Sequence, residues 1–182
     1  MIDRRAVIAA AGACAFGAYA ARAQEAGQAL PPALSELETL PLRTPQNELT
    51  TLRAHLQPGP TVISFWATWC SPCLAEGRQL ARIRERVPAD RLNIVGLNMD
   101  RNEVRATDRP ARFMARGRMN YTQLWGNVQL YRAFNNPGEG GHVLLPRLYV
   151  FDAEGRPAAA FGRYDGAASL RAIERAVDGV LV

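Results

Sequence analysis

Two thiols separated by two residues, Cys70-Ser71-Pro72-Cys73, are the chemistry-bearing feature of this 182-residue chain. Cysteines at this spacing close a small disulfide and reopen it by exchange. Zinc is the competing use of such a pair. A structural zinc site takes four ligands, with a second Cys or His pair at short spacing, and the chain offers only His55 and His142, far apart in sequence. A purely structural crosslink over so short a loop would restrain little chain, because the entropic gain grows with loop length.

The residues around the pair say how it is positioned. Thr61-Val62-Ile63-Ser64-Phe65-Trp66-Ala67 is apolar, β-branched and aromatic, the signature of a buried central strand. Beyond Cys73, Leu74, Leu80, Ile83 and Val87 recur among Arg and Glu, which predicts an amphipathic helix to about Val87. Cys70 is thus expected at a strand-to-helix junction, where unsatisfied N–H groups and the helix dipole favour an anion. A thiolate there typically has its pKa lowered from about 8.5 to between roughly 3.5 and 7.5. Cys70 is the expected nucleophile and Cys73, one turn inside, the resolving thiol. Pro72 suits a first helical turn and stiffens the loop, and Ser71 and Pro72 together tune the thiolate–disulfide balance. Glu76, three residues past Cys73, projects from nearly the same helix face. Beside a thiolate and an apolar strand its carboxyl pKa should be raised, which suits acid–base work near neutrality.

Phe65-Trp66-Ala67-Thr68-Trp69-Cys70-Ser71-Pro72-Cys73-Leu74-Ala75-Glu76 closely resembles the active-site segment of the TlpA/ResA-like thioredoxins, extracytoplasmic thiol–disulfide oxidoreductases. The resemblance extends from about Leu34 to the C-terminus and is sharp at this segment and near Pro146. It implies a thioredoxin-like α/β fold, a mixed central sheet with helices on both faces. It implies that Glu76 assists proton transfer at the resolving cysteine. It also implies that Pro146 is a cis-proline facing the dithiol, aiming the Leu145 backbone at a substrate strand. Trp69, with Ser71, Pro72, Leu145 and Pro146, would then contact the client, and Trp66 and Trp69 could form an apolar collar; Phe65 is assigned to the core. The family's partners are disulfide-containing client proteins and a membrane thiol-electron carrier that re-reduces the dithiol, with no cofactor. The chain departs from the family at Arg78, where a helix-kinking proline is common, and at Arg147, where a small hydroxyl residue usually follows the cis-proline. The rival reading is a thioredoxin-like Cu(I) carrier, with two thiolates suited to Cu(I) and His142 as the one available remote ligand.

Composition and address fit an exported globule. The chain carries 22 basic residues, all of them arginine, and a formal net charge of +5. These are spread along the sequence, and no basic run interleaved with aromatics suggests a nucleic-acid surface. Arg4 and Arg5 precede an apolar stretch, Ala6 to Ala21, and Ala21-Arg22-Ala23 is a small-x-small cleavage pattern. Residues 1–23 are expected to be a signal peptide, general secretory or twin-arginine, cleaved after Ala23. The destination is the periplasm, with membrane association only if the segment stays uncleaved. Cleavage removes Cys14 and leaves Cys70 and Cys73 with no third thiol to scramble with. Residues 24–33 read as a flexible lead-in, and residues 34–182 as one domain.

Along that domain the pattern predicts an edge strand over Leu37–Thr44, restricted to the edge by Pro41, and a short helix through Leu49, Leu52, Ala54 and Leu56. A second buried strand follows at Leu92–Asn98. Pro110 should interrupt a helix between Asn102 and Arg116. A short strand at Tyr121–Trp125, helical turns at Val128–Phe134 and a glycine-rich loop, Asn135–Gly141, come next. A hairpin of Leu148–Phe151 with Ala158–Phe161 and a closing helix, Gly166–Val180, complete the chain.

Overall fold

The computed structural model describes residues 29–135, 142–162 and 164–182. The expected signal segment, most of the lead-in and most of the glycine-rich loop lie outside these residues.

Seven strands form one sheet in the order β2-β1-β5-β4-β3-β6-β7. The strands are β1 (Pro41–Arg43), β2 (Leu49–Thr51), β3 (Thr61–Trp66), β4 (Asn93–Asn98), β5 (Thr122–Trp125), β6 (Arg147–Phe151) and β7 (Pro157–Phe161). β3, β4 and β5 run parallel, whereas β6 is antiparallel to β3 and β7 to β6. Every residue of β3, β4 and β6 is buried, as expected for strands covered on both faces. The helices are α1 (Leu34–Leu37), α2 (Ser71–Arg86), α3 (Asn102–Arg105), α4 (Arg109–Gly117), α5 (Val128–Asn135) and α6 (Ala167–Val180). None of the described helices is long and apolar enough to cross a membrane.

The period-two alternation of β3 divides the core. Ile63 and Phe65 face α5, where the Phe65 ring meets Tyr131 and Phe134 edge-on at centroid distances of 5.4 and 5.1 Å. Val62 faces the other way, joining Leu80 and Ile83 of α2 and Ile173 and Val177 of α6. Helices on both faces of a mixed sheet are the architecture the sequence predicts, and Phe65 is core.

Two local expectations change, and the helix interruption expected near Pro110 is found. The segment before β1 is helical, and β1 lies between β2 and β5 instead of at the edge. Pro41 is tolerated as the strand's first residue. The Leu49–Leu56 segment is not a helix: it is the edge strand β2 followed by a 3-10 turn, Arg53–His55. Pairing of Pro41–Arg43 with Leu49–Thr51 satisfies the backbone of two short segments at once and overrides helical spacing. The stretch around Pro110 forms two helices, with Pro110 buried in the first turn of α4, where its missing N–H has no helical partner to lose. Helix α2 runs unbroken through Arg78.

Candidate active site

The dithiol lies at the carboxyl end of β3. The chain leaves the sheet after Trp66 and turns through Ala67–Trp69, where the Cys70 N–H donates to the Ala67 carbonyl at 3.0 Å. Cys70 is the N-cap of α2, Ser71 begins the helix, and Pro72 occupies its first turn. The Cys73 N–H donates to the Cys70 Sγ at 3.3 Å. A sulfur is therefore the acceptor for an otherwise orphan donor of the helix N-terminus, the setting that favours a thiolate once the pair is reduced. Cys70 and Cys73 are disulfide-bonded, with Cα atoms 5.3 Å apart. They are 3% and 1% exposed, so Cys70 offers only a sliver of surface, next in sequence to exposed Ser71 and Trp69, the latter 58% exposed.

The two tryptophans part company. Trp66 is buried, stacked on Phe113 of α4 with centroids 5.1 Å apart and planes 10° from parallel. Together these rings and the two cysteines form one apolar cluster, joined at its margin by Leu74, Met119 and Leu145. Trp66 is thus a wall behind the disulfide, and only Trp69 projects outward. The Leu145–Pro146 peptide is cis. Leu145 packs against the dithiol cluster, Pro146 is buried, and Arg147 after it is buried in β6 opposite Phe65. Cys70, Cys73, Leu145 and Pro146, which the sequence reading grouped, are brought to one end of the sheet.

Glu76 lies one turn beyond Cys73, only 2% exposed, and accepts a hydrogen bond at 2.8 Å from the Ser64 hydroxyl of β3. Burial pushes its carboxyl pKa up from 4.5 to about 7, against a smaller opposing effect of the Ser64 bond. Burial, and then the nearby Glu76 charge, push the Tyr121 phenol up as well. Ser64 pairs with Gly96 of β4, and Gly96 with Gln123 of β5. A Cβ at position 96 would run into the Gln123 carboxamide. Glycine there leaves room for the Gln123 Oε1 to accept the Trp66 Nε1–H at 3.0 Å. A polar row thus crosses the sheet under α2.

Asp100, just past β4, holds the loop before the dithiol and was not singled out by sequence. Buried, it accepts the Thr68 N–H at 3.1 Å, the Thr68 hydroxyl at 3.0 Å and the Asn98 amide at 2.8 Å. Arg105 of α3 donates to the Asn98 side chain and to the Asn98 and Gly126 carbonyls, and its guanidinium lies 5.4 Å over the Trp125 ring. The available signal was a pair of polar residues, Asn98 and Asp100, at the carboxyl end of a parallel strand, where open α/β sheets place their sites. His142 is exposed, and among the described residues no three His, Cys, Asp or Glu side chains are grouped to hold a metal ion.

The fold and the site define a thioredoxin-fold protein carrying a CxxC dithiol–disulfide couple. The sequence profile of the AhpC/TSA family matches residues 36–157, and the chain belongs to that family. It is 47% identical over 32 residues to a thiol:disulfide interchange protein DsbE homolog of Paracoccus denitrificans, a match that spans 18% of this chain and 18% of that protein. Among solved structures it is similar to a secreted Mycobacterium tuberculosis disulfide oxidoreductase homologous to Escherichia coli DsbE, with a TM-score of 0.60 and 20% identity over 80% of this chain and 98% of that one. It is likewise similar to a thioredoxin-family thiol:disulfide interchange protein of Chlorobium tepidum, with a TM-score of 0.62 and 22% identity over 85% and 99% of the two chains.

Proposed function

We propose that the protein is a thiol–disulfide oxidoreductase that, in its reduced form, reduces disulfides of specific extracytoplasmic client proteins, of the kind met in cytochrome c or copper-protein maturation. The observation that carries this reading is the Cys70–Cys73 couple at the N-terminus of α2, with a buried carboxyl one turn behind it. In the forward half-reaction the Cys70 thiolate attacks a client disulfide, forming a mixed disulfide and releasing one client thiol. Cys73 then gives its proton to the Glu76 carboxylate, and its thiolate attacks the Cys70 Sγ. The second client sulfur leaves, taking a proton, and two electrons have passed from the protein to the client. Trp69, Ser71, Pro72, Leu145 and cis-Pro146 border the place where the client strand would lie. A membrane thiol-electron carrier returns the two electrons, since the compartment is oxidising, and the signal-like residues 1–23 and the DsbE-type relatives support export to the periplasm.

The Cys73→Ser variant should accumulate a mixed disulfide through Cys70, and Cys70→Ser should capture nothing. Capture by Cys70→Ser alone reverses the two roles, and capture by neither removes the exchange mechanism. A redox titration against glutathione gives the direction: a potential well below about −200 mV marks a reductant, one near −120 mV an oxidant.

A further inference from the structure

Four of the arginines that look scattered in sequence meet on one surface. A groove of about 460 Å³ runs between α2 and α4, lined by Arg78, Arg82 and Glu85 from α2 and by Arg116, Gly117 and Arg118 from the end of α4. Four arginines thus share the lining with one glutamate. The four arginines are exposed, and among the described residues none of them forms an ion pair. Arg78 donates through Nε to the Arg116 carbonyl at 3.1 Å, and Arg82 bonds the neutral Gln79 side chain. Four positive charges beside the single carboxylate of Glu85 leave a net repulsion, and a ligand bearing several carboxylates relieves it.

The groove lies along the helix that begins at the dithiol. Residues 74, 78, 82 and 85 follow one face of α2 at spacings of four, four and three, and Leu74 packs against the Cys70–Cys73 cluster. At about 1.5 Å per residue, Arg78 lies roughly 12 Å and Arg82 roughly 18 Å along the helix from Cys70. The large exposed apolar side chains among the described residues are Leu49, Trp69, Val128, Leu144 and Val182. None lines the groove, so it lacks the apolar anchors that a membrane-surface site presents.

We propose that the α2–α4 groove docks an acidic polypeptide segment of the protein that exchanges disulfides at Cys70, with carboxylates placed about 12 to 18 Å from the partner's reactive sulfur along the helix direction. This rests on the exchange activity proposed above, and adds to it a selection of partner by charge. Complementary charge of this kind speeds encounter and fixes orientation.

The test uses the full, oxidised protein and two synthetic peptides of equal length, each closed by one disulfide. One carries a tail of Asp and Glu, the other the same tail as Asn and Gln. Binding is read by fluorescence anisotropy of a neutral dye. The acidic peptide should bind at least tenfold tighter at low salt, and the preference should shrink severalfold at 0.3 M salt. It should vanish in the Arg78→Gln/Arg82→Gln/Arg116→Gln/Arg118→Gln protein and reverse in Arg82→Glu/Arg118→Glu. Equal binding of the two peptides overturns the proposal. So does a preference that survives both variants, or binding of vesicles rich in anionic lipid in place of the acidic peptide. Reduction of bis(2-hydroxyethyl) disulfide by the reduced protein is measured alongside. Its absence would sink the exchange activity while the anisotropy still judges the groove.

Discussion

Replacing Glu76 by Gln keeps the shape of the side chain, and an acceptor for the Ser64 hydroxyl, while removing the proton. The carboxyl is buried and its pKa is raised from 4.5 to about 7, so the native state holds this proton more tightly than the unfolded chain does. Stability from the group is therefore fully present below pH 4.5 and is lost as pH rises through 7. Between pH 5 and pH 8 the wild-type protein should lose roughly 2 to 3 kcal/mol from Glu76 alone, and Glu76→Gln should lose none of it. Denaturant unfolding of both oxidised proteins at the two pH values measures this as a difference of differences, in which every other titrating group cancels. The same substitution should slow resolution of the mixed disulfide about a hundredfold at neutral pH, the usual scale of general acid–base assistance. It should also erase an inflection near pH 7 from the rate profile. Identical pH dependence of stability in the two proteins would refute the burial argument; an unchanged rate profile would refute the role at Cys73.

Two further substitutions separate structure from contact. Asp100→Ala strips acceptors from the Thr68 N–H, the Thr68 hydroxyl and the Asn98 amide. It should cost about 3 kcal/mol by urea unfolding, since each buried donor left unpaired costs about 1 to 3, and should slow alkylation of Cys70 in the reduced protein. Trp69→Ala, at an exposed position, should change stability by less than about 0.5 kcal/mol yet weaken exchange with peptide disulfides more than with a small disulfide. Equal loss with both would assign Trp69 to the loop's conformation.

What could be read from the chain follows from how local each signal is. The dithiol, the helix that starts at it, the apolar strand before it and the β6–β7 hairpin are each written in consecutive residues, and the structure has them. The β1–β2 pair was misread because three-residue strands carry too little periodicity, and the pairing of Pro41 with Thr51 decides them. Asp100 escaped notice because its meaning is a contact with Thr68, 32 residues away. Ser64 looked like one more strand residue until Glu76 was placed over it. The arginine groove depends on bringing residues 78 and 82 beside 116 and 118, which no inspection of charge runs reveals. Glu76 was legible because its three-residue offset from Cys73 lies within a single helix.

The order of the strands has a consequence for wear. β3, β4 and β6 each have a neighbour on both sides, while the two margins of the sheet, β2 and β7, are remote from the sulfurs. Fraying at either margin leaves intact the ladders that hold the Ala67–Cys70 turn. Hydrogen exchange should accordingly be fast at Leu49–Thr51 and slowest at Ile63–Phe65, so that repeated cycles of oxidation draw on the most durable part of the molecule while its borders come and go.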